Sequence, residues 1–147
     1  MGLHAFNAGC NAVCYQKDDR RYGMICAWAS MLDYDTIGLL LGSQSATGKN
    51  VSVGAIVGVS ALSSSQESIA LRLGNNHSDK VDKFEGIEIR TEGSAILIAG
   101  ARNNLICRVS EIVRFAGSED DRFLVMKIIR ADEDKTKDFL SAEKVLG

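Results

Sequence analysis

The chain has 147 residues, 46% apolar and 24% charged, with a formal net charge of −2. That length allows one domain with a sizeable core, and the balance of residue types is that of an ordinary globular protein. The near-neutral charge offers no basic face of the kind nucleic-acid binders carry. No stretch approaches the ~20 continuous apolar residues that span a bilayer. Met1-Gly2-Leu3-His4-Ala5 lacks the basic segment and apolar run of a signal peptide, and Asn7 stands where a myristoylation signal prefers Ser or Thr. The expectation is a cytoplasmic protein of one domain over 1–147, with neither nucleic acid nor membrane as a partner.

In chain order, Asn11 to Gln16 and Met24 to Ser30 flank the polar stretch Lys17 to Gly23, which predicts a β-hairpin. Ile37 to Leu41 is a short apolar run suited to a strand buried on both faces. Gly42 to Asn50 is small and polar, a loop running into a helical turn, and Ala55 to Leu62 is another apolar strand. Ser64 stands three residues before Glu67, a capping-box spacing, so a short helix is predicted through Leu73 and stopped by Gly74-Asn75-Asn76. Ile87 to Arg90 reads as a small strand. Asn104 to Phe115 and Arg122 to Ala131 read as longer strands joined by the acidic turn Gly117 to Asp121. The tail from Asp132 is charged and reads as helical or loosely ordered.

The chain contains no proline, so its turns rest on Gly, Asn, Asp and Ser. Cys10, Cys14, Cys26 and Cys107 form no CxxC pair and have no histidines nearby, which points to buried, reduced thiols and no metal site. The clusters Glu119-Asp120-Asp121 and Asp132-Glu133-Asp134 read as solvated acids. Many strands and few helices predict a mainly β fold, a small β-barrel with peripheral helices.

The order of these segments resembles the flavin reductase-like FMN-binding split-barrel family. The resemblance rests on Ile25-Cys26-Ala27-Trp28-Ala29-Ser30, then Ile37 to Leu41, Ser43 to Thr47 and Val57 to Leu62. It continues through His77-Ser78-Asp79-Lys80-Val81-Asp82-Lys83-Phe84-Glu85-Gly86-Ile87, then Asn104 to Val109, then Phe123 to Ile129. It covers residues 8 to 131, and Lys83-Phe84-x-Gly86 is its most specific piece. The chain departs from the family at Asp33-Tyr34-Asp35-Thr36, where many members carry Asp-Pro-Pro. An Arg often found just before the Lys-Phe segment is replaced here by Asp79 and Lys80.

The resemblance implies a split β-barrel that binds FMN, with NAD(P)H as co-substrate. It also implies a homodimer whose interface completes the FMN site. Ser43, Ser45 and Thr47 place hydroxyls on one glycine-bounded loop, and Lys49 adds a charge for the phosphate; Thr47 aligns with the family's Thr. The competing reading is a solvated surface loop. Small side chains from Cys26 through Ala27, Ala29 and Ser30 let backbone approach the flavin, while Trp28 either meets the ring or fills core volume. His77 and Ser78 are candidates to reach a phosphate from a partner subunit. Lys83 is read as a phosphate partner or as a surface ion pair with Asp82 or Glu85, and Phe84 as core.

No Ser/His/Asp or Cys/His constellation stands out, so no catalytic side chain is named. In flavin chemistry the cofactor performs the hard step and the protein orients it. The leading functional expectation is an NAD(P)H-dependent flavin reductase. The alternatives are a non-enzymatic FMN carrier reduced by an electron-transfer protein, and a flavin- or haem-binding module without turnover.

Overall fold

A computed structural model describes residues 5–42, 45–75, 82–115 and 118–146; for 118–120 and 146 it describes the backbone alone. Among the described residues nine strands form one antiparallel sheet that curls into a split β-barrel. The first hairpin pairs β1 (Asn11–Lys17) with β2 (Arg20–Cys26). Its loop is only Asp18-Asp19, with Asp18 in the left-handed region at φ 56. The seven-residue turn expected from the polar sequence is therefore corrected. Arg20 and Arg21 are paired strand residues at the solvated tip of the hairpin.

The second hairpin strand also ends earlier than expected. β2 stops at Cys26, and Ala29 opens a separate strand, β3 (Ala29–Asp33), which pairs with β4 (Thr36–Leu41). As expected of its apolar run, Ile37 to Leu41 is buried along most of its length. A single helical turn, α1 (Ala46–Asn50), follows, capped by Ser45, whose hydroxyl accepts from the Gly48 N–H at 3.0 Å.

β5 (Ile56–Ala61) pairs with β1 on one side and with β8 (Asn103–Phe115) on the other. α2 (Glu67–Asn75) runs through Gly74. Its cap falls one residue before the predicted one: Gln66, not Glu67, reaches back to accept from the Ser63 N–H at 3.0 Å. β6 (Ile89–Glu92) and β7 (Ala95–Ile98) form a hairpin around Gly93 and Ser94. Sequence reading missed β7 although all four of its residues are buried. Its only trace in the sequence is a four-residue apolar run between Gly93 and Gly100.

β9 (Ser118–Glu133) begins inside the segment expected to be an acidic turn, because Phe115 pairs with Ser118. The tail is tied down rather than loose. Phe139 bridges to Ser63 and Ser141 to Gly9, Leu140 is buried, and α3 (Ala142–Leu146) closes the described chain.

β7 lies across the face of β5 rather than pairing along it. Three alternate β5 positions make this possible. The Ile56 carbonyl accepts from the Ser94 hydroxyl at 2.6 Å, Gly58 leaves room for the Ile96 carbonyl, and the Ser60 hydroxyl accepts from the Ile98 N–H at 3.0 Å. Side-chain hydroxyls here replace ladder partners for buried backbone, as an interior demands.

The core divides at the β1–β2 hairpin. Val13, Tyr15, Tyr22 and Cys26 face the barrel interior with Ile37, Leu39, Val57, Leu124 and Met126. Cys10, Ala12 and Cys14 face the other way, against Leu73, Phe84, Ile96 and Leu140. Phe84 is core, as expected. All four cysteines are buried and free. Burial pushes the Cys14 and Cys107 thiols up to about 12 and Cys26 to about 11, far from the thiolate form at neutral pH. No described helix is long and apolar enough to cross a membrane.

Candidate functional site

The sheet register builds a cavity at one mouth of the barrel. Asn11 of β1 pairs with Ala61 of β5, and Ala61 pairs with Asn103 of β8, so three strands contribute one row of residues to the rim. On the far wall stand Ala29, Ser30 and Met31 of β3 with Ile37 and Leu39 of β4. Gly9 and Phe139 to Ser141 close the side where the two ends of the chain bridge to each other. The cavity holds about 500 Å³, within the range of small-molecule sites. Its walls are apolar at Ile37, Leu39, Val59 and Leu105 and carry the amides of Asn7, Asn11 and Asn103.

The link between β2 and β3 is held tightly. The Leu40 N–H donates to the Trp28 carbonyl at 2.9 Å. The Cys26 thiol, at 2% exposure, bridges the Trp28 and Leu40 carbonyls at 3.4 and 3.3 Å. Asn11 Nδ2 donates to the Cys26 carbonyl at 3.0 Å. Cys26 therefore positions backbone and presents no side chain. Ala29 and Ser30 are exposed and line the cavity. Trp28 is 66% exposed, which excludes the reading in which it fills core volume.

Of the hydroxyl-rich loop, Ser43 lies outside the described residues, as do His77 and Ser78. Ser45 sits beside β2, its hydroxyl 2.9 Å from the Met24 sulfur, two residues before Cys26. Residues 26–30 thus run between Ser45 at one end and the cavity at the other. Lys49 is exposed on α1. Thr47 differs from expectation: it is buried at 1% exposure, and its carbonyl accepts from the Tyr15 hydroxyl at 2.5 Å. That bond ties α1 to β1 at Tyr15, four residues and ~13 Å along the strand from Asn11 at the cavity rim.

Lys83 is also corrected. It is buried rather than at the surface, and its ammonium donates to the Gly23 and Leu73 carbonyls at 2.7 Å each. Asp82 pairs instead with Arg21, whose hydrogen bond holds that carboxyl below its usual range. Gly23 faces Cys14 and Phe84, so Lys83 lies across the β1–β2 hairpin from the barrel interior. Asn11, Asn103 and Phe139, which shape the cavity, were not singled out in the sequence. They come from three distant segments that only the register brings together.

The flavin reductase like domain family model matches residues 3–142. No curated protein sequence matches. Among solved structures, an NADH:FAD oxidoreductase from Streptomyces globisporus superposes with a TM-score of 0.80 at 20% identity, covering 91% of this chain and 80% of its own. A flavoredoxin from Methanosarcina acetivorans superposes at 0.78 and 20% identity, covering 92% and 74%. An FMN-binding protein from Thermus thermophilus, solved with 1-cyclohex-2-enone, superposes at 0.78 and 16% identity, covering 92% and 78%.

Proposed function

The chain belongs to the flavin reductase-like domain family, and from that premise we propose that it is an FMN-binding oxidoreductase that reduces flavin with a nicotinamide nucleotide. The observation that carries this reading is the placement of residues 26–30 between Ser45 and the cavity. Ala27 and Ala29 carry only a methyl group, so a flat ring can lie close to the backbone of this link. The exposed Ala29 and Ser30 would bound its edge, with Trp28 beside it. The Lys49 ammonium and the half-buried Ser45 hydroxyl, once it turns from the Met24 sulfur, are the described candidates for a phosphate, with Ser43, His77 and Ser78 as further candidates. Thr47 and Lys83 are left out of the site, because each is buried in contacts of its own.

Bound flavin would supply a two-electron acceptor for the reducing equivalents of a dihydronicotinamide. The work of the chain is positional. Cys26 and Leu40 hold the Trp28 carbonyl, and Asn11 holds the Cys26 carbonyl. Purified protein titrated with FMN and with riboflavin tests the assignment. FMN should bind at least about tenfold more tightly, because riboflavin loses charge-assisted bonds of ~1.5–3 kcal/mol each. Equal affinities would remove the phosphate from the site.

A second copy of the chain completes this site in our reading. β3 is an edge strand of the sheet and all five of its residues are exposed. Trp28, Met31, Leu32 and Tyr34 add apolar surface there, Tyr34 at 99% exposure. Open edges with apolar side chains are templates for pairing. Because flavin then favours the assembled state, dilution should release it, and the gain in melting temperature from added FMN should depend on protein concentration. A monomer by light scattering that retains FMN would refute the shared site.

A further inference from the structure

No charged side chain lines the cavity among the described residues, yet one stands at its rim. The Arg102 guanidinium donates to the Asn103 side-chain oxygen at 2.6 Å and lies 4.7 Å from the centre of the Phe139 ring. Asn103 and Phe139 both line the cavity, so the cation is fixed where they meet. An aromatic face and an amide oxygen orient a guanidinium without neutralising it. The acidic residues at the end of β9 do not neutralise it either. Asp132 pairs with Arg90 at 3.2 Å, Glu133 with Lys135 at 3.7 Å and Asp134 with Lys137 at 3.6 Å. Among the described residues, no carboxylate lies within ion-pair distance of Arg102. A half-buried guanidinium, held in place and lacking a counter-charge, is an anion receptor whose planar fork matches phosphate oxygens.

We infer that Arg102 is a specificity residue that binds a phosphate of the nicotinamide nucleotide, while the dihydronicotinamide ring enters the cavity. This rests on the oxidoreductase reading above. The apolar walls at Leu39 and Leu105 suit the ring, and the Asn11 and Asn103 amides suit its carboxamide. The phosphate is either the pyrophosphate common to NADH and NADPH or the 2′-phosphate of NADPH alone.

Steady-state oxidation of three donors with saturating FMN separates these cases: NADH, NADPH and the phosphate-free 1-benzyl-1,4-dihydronicotinamide. Arg102→Gln keeps an amide to contact Asn103 and removes the charge. It should raise KM for the phosphate-bearing donor about tenfold or more, well beyond any change for the benzyl donor, which shares only the carboxamide contact. A rise for both nucleotides identifies the pyrophosphate, and a rise for NADPH alone identifies the 2′-phosphate. Arg102→Lys keeps the charge but not the fork, and should fall between wild type and Arg102→Gln. Unchanged KM for both nucleotides, or equal loss with all three donors in both variants, would overturn the inference and leave flavin reduction standing. Wild-type protein that oxidises none of the three would instead overturn the oxidoreductase reading, and this inference with it.

Discussion

Gly58→Ala is expected to cost about 3 kcal/mol or more of stability. β5 is sandwiched at this point: Gly58 pairs with Cys14 of β1 and with Ile106 of β8, while β7 crosses its face. A Cβ at Gly58 would collide with the Ile96 carbonyl oxygen and carbon. The obstacle is backbone, not the swinging end of a side chain, so relief requires moving β7 bodily. That movement would stretch the Ser94–Ile56 and Ser60–Ile98 hydrogen bonds on either side. Overpacking of a good core costs ~1–3 kcal/mol when side chains can give, and the largest losses arise where they cannot. Gly42→Ala is the control, since a Cβ there meets nothing within 4 Å; its effect should stay within ~0.5 kcal/mol. Urea titration of both variants checks the pair. A loss below ~1 kcal/mol for Gly58→Ala would mean that β7 does not cross β5 so closely.

That crossing also shows which parts of the fold were legible in the sequence. β4 and β5 announce themselves as apolar runs bounded by polar turns, because they are buried on most positions. β8 does so by length. β7 has the same chemistry compressed into four residues, too short to stand out against the neighbouring Ala99-Gly100-Ala101. Strand ends were the weakest point, for one recurring reason. Arg20 and Arg21 at the tip of the first hairpin, and Ser118 to Asp121 at the start of β9, are strand residues with polar side chains. Propensity there is overridden by pairing with a strand already in place. Hydrogen bonding along a hairpin continues past the point where burial stops, so polarity marks the solvent boundary rather than the turn.

The site divides along the same line. Residues 26–30 and Ser45 are close in sequence and were visible as a local pattern of small side chains and hydroxyls. The cavity they adjoin depends on register. Asn11, Ala61 and Asn103 form one row only because β1, β5 and β8 align at those residues, and Phe139 joins them through the Ser63 bridge. Such adjacency leaves no local trace. Thr47 and Lys83 show the opposite limit. Each reads as a polar group aimed at solvent or ligand, and each is buried at a backbone contact, the Thr47 carbonyl with Tyr15 and the Lys83 ammonium with Gly23 and Leu73.

Lys83→Met is the second substitution with a large expected effect, and it decides whether this lysine serves fold or ligand. Lys83 donates to Leu73 in the last turn of α2, where helix carbonyls lack intrahelical partners and the helix dipole favours a cation. Its other acceptor, the Gly23 carbonyl, belongs to β2. One ammonium therefore ties α2 to the β1–β2 hairpin, with Phe84 packed against Gly23 beside it. Methionine has nearly the same length and volume, so packing survives while both carbonyls lose a charged donor. Each such bond contributes ~1.5–3 kcal/mol, partly offset by no longer burying a charge. A net loss of about 2–4 kcal/mol is expected, a fall in Tm on the order of 5–15 °C for a chain of this size. Below the transition, the FMN dissociation constant should stay within about twofold of wild type, because the ammonium points away from the barrel interior. An unchanged Tm with a tenfold weaker FMN complex would reverse the assignment and return Lys83 to the phosphate.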